Sequence, residues 1–570
     1  MSVFVALVLA IIAGAAYLTR RIGGDTQFER PIVLAPIVGL VLGDLQTAVV
    51  VGGTFELIFI GAAAIGGAVP PNIVLATVVG TSFAIETGGG AETAIAVGVP
   101  AAVVASSFEL MAKGGSSFLV HRADRHAESA NGRRITGVVW AGNALHFFAY
   151  AVPAFLALYF GQGAVQSMTR ALSGAVNDGL VTAAALLPAV GFGILLTVLY
   201  NRALFPLFFV GFALAAYAGF TVIGLVLLAG AIMLLQYRAQ RIQEPTSQQA
   251  QESTPQPAGV GASAESTGGV ASSTSPAAPI SSDGGDDSTD ATHAIDTSAD
   301  LQITRRDIRQ LFWRSFLLQA AFNYERFQNM GFWWGVKPLL RKLYQHNPTE
   351  LAAADQRHLQ FFNTHPWTCG PIFGITASME ARRARDLQST DGESINAIKV
   401  SMMGPLAGLG DSLIFGAIRP VLSGVCAALA VNGNVAGPLI FLIGINIIHF
   451  ALRWYGIDYG FRYGTRFFEK VGQTRIESVK RYATSLGLLT VGALTAALLP
   501  ITTPLQYTSG EATVKIQEYL DQVMPFILPL IATLGAFWLA RRRVNPVWIL
   551  VIMTVVGVVG GYFGILAGGD

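Results

Sequence analysis

The stretch from Pro36 to Asn72 most constrains how this chain can fold, because it is apolar enough to lie within a membrane yet is repeatedly interrupted. The interruptions are two carboxylates, two glycine pairs and one proline pair: Asp44, Glu56, Gly52-Gly53, Gly66-Gly67 and Pro70-Pro71. A carboxylate inside a bilayer costs at least about 2.5 kcal/mol and persists where it faces a cavity, an ion or a substrate. Irregular backbone at that depth requires protein or water to satisfy its N–H and C=O groups. The stretch therefore predicts a broken helix that lines a polar site.

A second interpretation of Asp44 and Glu56 stays open. Both could lie in loops at the membrane surface and only cap helices, since aspartate is a favoured N-cap residue. The long apolar runs on either side favour the polar site.

The composition places the whole chain among polytopic membrane proteins. Hydrophobic residues make up 52% and charged residues only 13%, against roughly 25% charged residues in soluble domains. Several apolar runs are shorter than the roughly 20 residues that a spanning helix needs, which indicates re-entrant segments beside full crossings. We predict an all-α polytopic membrane protein with two membrane modules containing broken and re-entrant helices, joined by a disordered linker.

The linker is defined by an abrupt change in composition. Residues 244–300 contain no Lys or Arg and nine Asp or Glu, with Ser, Ala, Thr, Gly and Pro dominating. Such a segment cannot bury enough apolar surface to fold, and as a flexible coil it would span about 40 Å. The predicted domains are a first membrane module at 1–243, the linker at 244–300 and a second membrane module at 301–570.

The second module opens with a basic, aromatic segment whose apolar residues recur at helical spacing. These are Ile308, Leu311, Phe312, Phe316 and Ala320. The pattern predicts amphipathic helices on the cytoplasmic side. They would lie either on the membrane surface or as a helical hairpin packed on the module's own base.

The positive-inside rule places the basic loops and the linker in the cytoplasm. The loops concerned contain Arg20 and Arg21, the segment 121–134, and Arg238 and Arg241. His121 and His126 in the second loop are interpreted as solvated, without a chemical role. His146 and His449, on apolar helices, are interpreted as packed.

The sequence lacks the motifs that several kinds of chemistry require. The sequence contains no GxxxxGK[ST], HExxH, CxxC or GxSxG pattern, so no P-loop motor, cofactor or metal site is expected. Nucleic acid is not an expected partner. The two cysteines, Cys369 and Cys426, have no metal-binding spacing.

Polar residues in apolar surroundings instead indicate a neutral hydrogen-bonding site. They are Gln27, Asp44, Thr54, Glu56, Asn72, Asn323, Asn363, Thr364, His365, Asp411 and Ser412. A sugar hydroxyl needs both a donor and an acceptor, which carboxylates, amides and hydroxyls supply together. The alternative for 363–366 is a capping turn before a helix.

Long motifs carry a resemblance to a known family. The run GLVLGDLQTAVVVGGTFELIFIGAAAIGGAVPPN resembles enzyme IIC of the mannose family of the bacterial phosphoenolpyruvate-dependent sugar phosphotransferase system (PTS). The segments RSFLLQAAFNYERFQNMGF, FFNTHP and IKVSMMGPLAGLGDS resemble enzyme IID of the same family. The resemblance implies a fused IIC and IID permease that carries a hexose or amino sugar across the bacterial cytoplasmic membrane as a homotrimer. Separate IIA and IIB proteins would hold the phosphoryl group, and no phosphorylated residue is expected on this chain.

The resemblance also implies a sugar site. Its residues would be Gln27, Asp44, Thr54, Glu56, Asn72, Asn323, Glu325, Asn363, Thr364 and Asp411, with His365 beside them. His365 stands where several members have glutamine, and Asn72 where aspartate is common. The expected substrates are the mannose, glucose and glucosamine group.

Two other functions remain open on the residues themselves. A cation-coupled secondary sugar transporter would use Asp44 or Glu56 as its proton or sodium site. A membrane receptor or scaffold would use the polar residues only structurally.

Overall fold

The computed structural model describes residues 1–62, 71–161, 163, 175–233, 235–236, 302–466, 473–509 and 512–568. The predicted linker at 244–300 lies outside the described residues, as do Gly66, Gly67 and Pro70. The described chain is predominantly helical, which confirms the all-α membrane fold.

The described part of the first module is helical. In chain order they are α1 (Val3–Ile22), α2 (Pro31–Leu42), α3 (Leu45–Ile58), α4 (Ile73–Thr87), α5 (Gly90–Glu128), α6 (Gly132–Phe160), α7 (Ala175–Leu186), α8 (Pro188–Leu199), α9 (Pro206–Ala216) and α10 (Val222–Met233).

The second module is also helical. Its α-helices are α11 (Arg305–Ser315), α12 (Asn329–Leu343), α13 (Pro348–His358), α14 (Gly370–Arg385), α15 (Gly392–Gly410), α16 (Arg419–Ala430), α17 (Ala436–Tyr463), α18 (Gln473–Ala497), α19 (Ile516–Val523), α20 (Ile527–Arg541) and α21 (Pro546–Tyr562). Short 3₁₀ turns follow α11 and α17 at Phe316–Gln319 and Gly464–Arg466, and a π-helical segment, Asp411–Ile418, joins α15 to α16. Four short strands that the sequence did not predict form two antiparallel pairs: β1 (Ile501–Thr502) with β4 (Ala567–Gly568), and β2 (Gln506–Ser509) with β3 (Ala512–Lys515).

Six helices among the described residues are long and apolar enough to cross a membrane. They are Val3–Ile22, Gly90–Glu128, Gly132–Phe160, Asp178–Leu199, Gly392–Ala430 and Ala436–Tyr463. A further pair, α19 and α20, is bent by 74° at its break, as in a broken span or a re-entrant loop. The predicted mixture of full crossings and broken helices is confirmed.

The Pro36–Asn72 stretch is broken, but not at every expected position: Gly52, Gly53 and Glu56 lie inside the continuous helix α3. The breaks that do occur have local causes. Gly43 ends α2 with φ of 84°, a left-handed conformation that glycine adopts without a steric penalty. The Asp44 side chain then accepts a hydrogen bond from the Thr47 N–H at 3.0 Å and caps α3. Asn72 caps α4 in the same way, through the Leu75 N–H at 3.1 Å.

The apolar face of α11 is packed inside the second module. Ile308, Leu311 and Phe312 are buried in a core that also contains residues of α12 and α14, and a capping box between Thr304 and Asp307 fixes the start of the helix. Two arrangements were predicted for this segment. The buried face of α11 agrees with packing on the module's own base.

The two modules interlock along several helices. α7 packs on α21, α8 on α20, α9 on α18, and α3 on α16. Gly211 of α9 and Gly492 of α18 each lie so close to the opposing backbone that a Cβ there would overlap a carbonyl oxygen, and such close approach stabilises helix pairs in membranes. Hydrogen bonds add to this contact: the Ala321 N–H donates to Asn143 Oδ1 at 3.0 Å.

Candidate functional site

A cavity of about 300 Å³ lies between the two modules. This volume is at the lower end of the range of small-molecule sites, roughly 300–1,000 Å³. The first module lines it with Arg20, Arg21, Glu109 and Lys113. The second module contributes Gln319, Phe322, Tyr324, Phe327, Gln328, Asn363, Thr364, His365, Pro366, Ala407, Asp411 and Phe415. We call this space the intermodule cavity.

The first-module wall is organised around the Glu109 carboxylate. Lys113 lies one turn further along α5, with its Nζ 2.8 Å from Glu109 Oε1, and the Tyr150 hydroxyl donates to Oε2 at 2.8 Å. Arg21, at the end of α1, approaches the same carboxylate at 3.8 Å. Glu109 compensates only part of the positive charge of Arg20, Arg21 and Lys113, so this wall is net positive and presents mainly hydrogen-bond donors to the cavity.

Aromatic rings of the second module lie against these cations. The Lys113 Nζ is 5.8 Å from the centre of the Phe322 ring and 5.7 Å from that of Tyr324. The Arg21 guanidinium is 5.0 Å from the Phe322 ring centre. Cation–π attraction at this range joins the two modules at the cavity.

The second-module wall is held by Gln328, which forms two hydrogen bonds with the backbone of Thr364. Its Nε2 donates to the Thr364 carbonyl at 2.9 Å, and its Oε1 accepts from the Thr364 N–H at 3.0 Å. The Thr364 hydroxyl donates to the Met403 carbonyl at 3.1 Å. Asn363, which precedes Thr364 in the chain, is exposed and lines the cavity.

His365 presents a donor to this space. Its Nδ1 accepts from the Trp367 N–H at 3.2 Å, and burial together with the nearby Arg419, Arg453 and Arg20 charges lowers its pKa to about 3. The ring is therefore neutral at pH 7, and because Nδ1 is an acceptor, we assign the ring proton to Nε2. Nε2 has no protein partner among the described residues.

Further unpartnered polar atoms occur in the loop that follows α1, beside Arg20. Among the described residues, Arg20 Nε, Asp25 Oδ2, Gln27 Oε1 and Glu29 Oε2 are buried without a hydrogen-bond partner. Buried polar atoms are usually bonded. Arg20, which lines the cavity, therefore offers an unpartnered donor of the kind found at sites for polar ligands.

The loop at 25–27 is itself strained and clamped. Asp25 and Gln27 have φ of 70° and 65°, a left-handed conformation that is uncommon outside glycine. Gln27 Nε2 donates to Asp25 Oδ1 at 2.9 Å, and the Trp367 indole N–H donates to the Asp25 carbonyl at 3.2 Å. Since Trp367 also contacts His365, Gln27 is linked to the cavity through two residues.

Arg453 ties this loop to the second module. Its guanidinium donates to the carbonyls of Ser315 at 2.6 Å, Gly24 at 3.4 Å and Pro366. Arg453 is fully buried, and all three acceptors belong to segments beside the cavity, so it positions both walls.

Glu56 lies in a different buried cluster. Arg30 Nε donates to Glu56 Oε1 at 3.0 Å and a terminal nitrogen to the same oxygen at 2.6 Å. The Ser423 hydroxyl, from the second module, donates to Oε1 at 2.7 Å. Both charged side chains are excluded from solvent. Glu56 is therefore ion-paired within the first module and hydrogen-bonded to the second, and it does not line the cavity.

The remaining predicted residues are satisfied locally. Thr54 and Ser412 donate to the backbone carbonyl four residues earlier. Asn323 bonds Asn329 at 3.1 Å, and Glu325 is partly exposed beside His121 at 3.2 Å. The structure therefore brings together Asn363, Thr364, His365 and Asp411 in the cavity lining. It places the other predicted residues outside that lining: Gln27, Asp44, Thr54, Glu56, Asn72, Asn323 and Glu325.

Sequence reasoning missed the charged residues of the first-module wall. Arg20 and Arg21 were interpreted only as indicators of topology, and Glu109 and Lys113 were not considered. One signal was available, since Glu109 and Lys113 are four residues apart in an apolar run and therefore share a helix face.

Comparison with known proteins adds to this geometry. Residues 3–235 match the family described as PTS system sorbose-specific IIC component, and residues 302–566 match the PTS system mannose/fructose/sorbose family IID component. The chain is 39% identical over 276 residues to the PTS system mannose-specific EIID component of Escherichia coli (strain K12), covering 47% of this chain and 97% of that relative. It is 39% identical over 272 residues to the fructose permease IID component of Bacillus subtilis (strain 168), covering 47% and 98%. It is 36% identical over 188 residues to N-acetylgalactosamine permease IIC component 1 of Escherichia coli (strain K12), covering 33% and 70%.

Proposed function

Because the chain belongs to the mannose/fructose/sorbose family of PTS permeases and fuses a IIC to a IID component, we propose that it translocates a hexose or amino sugar through the intermodule cavity. Transport is coupled to phosphorylation of the sugar by a separate IIB protein, which IIA supplies with phosphate. The substrates are the mannose, glucose and glucosamine group. The permease acts as a homotrimer in the bacterial cytoplasmic membrane, with the linker and basic loops in the cytoplasm.

One observation carries the proposal: polar side chains of both components converge on one cavity, where His365 Nε2 and Arg20 Nε are buried without a hydrogen-bond partner among the described residues. His365 Nε2 supplies a donor, Asp411 an acceptor, and Asn363 both. A sugar presents hydroxyls that donate and accept around its ring, so it matches such a mixed lining. Asp411 also opens the π-helical segment, and π-helical turns frequently occur at functional sites.

The test is a phosphorylation panel in membrane vesicles, with IIB and with IIA that has been phosphorylated beforehand, across mannose, glucose, glucosamine, fructose and galactose. We expect phosphorylation of the first three and none without IIB. The variant His365→Gln should change the ranking of sugars. Asn72→Asp, which keeps an N-cap on α4 outside the cavity lining, is the matched control.

Two results would contradict the proposal. Accumulation driven by an ion gradient with no IIB present would make the chain a secondary transporter. An unchanged ranking in both variants would place the sugar elsewhere than the intermodule cavity.

A further inference from the structure

A second groove, of about 380 Å³, lies between the start of α11 and the last turns of α17. Its lining shares no residue with that of the intermodule cavity. The apolar part of the lining includes Ile308, Trp454 and Phe461, and the charged part includes Arg305, Arg309 and Arg462. We call it the basic groove.

The length of α17 places this groove at the level of the lipid headgroups. At 28 residues the helix is about 42 Å long, whereas the hydrocarbon core of a bilayer is about 30 Å thick. Its exposed side chains are aliphatic at Leu439, Ile443 and Ile447 and become tyrosine at Tyr455 and Tyr459. Exposed tyrosines of this kind mark the membrane–water interface.

The basic groove carries an excess of positive charge at that level. Arg462 pairs with Asp458 at 2.9 Å. Arg305 and Arg309, one turn apart on the exposed side of α11, form no ion pair among the described residues. Guanidinium groups bind phosphate oxygens through paired hydrogen bonds, so two arginines remain available for an anion.

The apolar residues distinguish the ligand from a free ion. Ile308 and Trp454 belong to the core contact between α11 and α17, and Phe461 continues this surface toward the end of α17. On the same helix as the arginines, Trp313 is 59% exposed. A phosphate alone would not contact such a surface, whereas a molecule with a charged head and an apolar chain would cover both parts.

We propose that the basic groove binds an anionic glycerophospholipid. Its phosphodiester lies between Arg305 and Arg309, with Arg462 at the rim, and one acyl chain lies along Ile308, Trp454 and Phe461. This lipid site is separate from sugar transport and attaches the start of the second module to the membrane surface.

The test measures lipid binding to the full chain by native mass spectrometry, titrating phosphatidylglycerol and phosphatidylcholine. The double variant Arg305→Ala/Arg309→Ala should lose affinity for phosphatidylglycerol by roughly fivefold per arginine, about 25-fold in total. The matched control is Arg306→Ala, which removes an exposed arginine of the same helix outside the groove and should keep wild-type affinity. Arg305→Lys/Arg309→Lys retains the charge but not the paired donors of the guanidinium, so it should recover part of the binding.

Several outcomes would overturn the proposal. They are equal affinity for the two lipids, unchanged binding in the double alanine variant, an Arg306→Ala loss as large as that of the double variant, and failure of a correctly folded lysine variant to recover binding. Competition by inorganic phosphate or glycerol phosphate as strong as that by the whole lipid would assign the groove to a free anion instead.

Discussion

Breaking the ion pair between Arg30 and Glu56 should strongly destabilise the protein. Both side chains are excluded from solvent, and the carboxylate also accepts from the Ser423 hydroxyl at 2.7 Å. Removing one member of a buried pair leaves the other charge uncompensated and costs about 3–5 kcal/mol. Glu56→Gln should therefore lower the apparent melting temperature by roughly 6–10 °C, at about 2 °C per kcal/mol.

The matched double variant separates charge pairing from packing. Arg30→Met/Glu56→Met removes both charges at similar volume, a change that is often neutral or stabilising for buried pairs. It should melt closer to the wild type than a variant that loses only one of the two charges. Ser423→Ala removes one hydrogen bond and should cost about 1–3 kcal/mol.

The assay is thermal unfolding of the full chain in detergent, followed by tryptophan fluorescence, with sugar binding measured on the same samples below the transition. Wild-type melting of Glu56→Gln would refute the pairing argument. Wild-type melting combined with lost sugar binding would instead assign Glu56 to the sugar site, as the sequence alone predicted.

Three further predictions concern other parts of the chain. In the intermodule cavity, Asp411→Asn should weaken sugar binding by roughly 5- to 150-fold without changing the melting temperature, and calorimetric titration checks this. Proteolytic cleavage or removal of most of residues 244–300 should leave uptake nearly intact if the remaining chain can reach between the modules; complete loss of uptake with both modules still in the membrane would contradict this. Burial, only partly offset by Glu380, lowers the pKa of His358 to about 4. As the pH falls, the unfolded chain therefore binds a proton at His358 near pH 6.5, whereas the folded chain binds it only near pH 4. Stability should fall as the pH drops from 6.5 to 4, and His358→Gln should flatten that part of the melting profile.

The overall architecture could be predicted because it depends on local features of the sequence. Apolar runs indicate helices by themselves. The Gly43 turn was not predicted, and Asn72, a predicted sugar-site residue, instead caps α4. The packing of α11 was left between two alternatives, because periodicity identifies an apolar face without identifying what covers it.

The candidate site was predictable only in part. The segment 363–365 combines a favoured turn with polar residues, and it does line the cavity. Arg20 and Glu109 lie in different helices, and their proximity depends on how α1 and α5 pack beside the second module. Glu56 was singled out correctly as a buried carboxylate, but its partners, Arg30 and Ser423, come from distant parts of the chain.

The hydrogen bonds across the module boundary have a consequence for biogenesis. A first module inserted alone would leave Glu56 without Ser423 and Asn143 without its contact at Ala321, and partly assembled proteins of this kind are continuously removed by cellular proteases. Synthesis of both modules as one polypeptide delivers them in equal numbers. The covalent connection also keeps the two modules of one chain together after synthesis. Fusion therefore shortens the time during which either half is exposed to degradation as an orphan subunit.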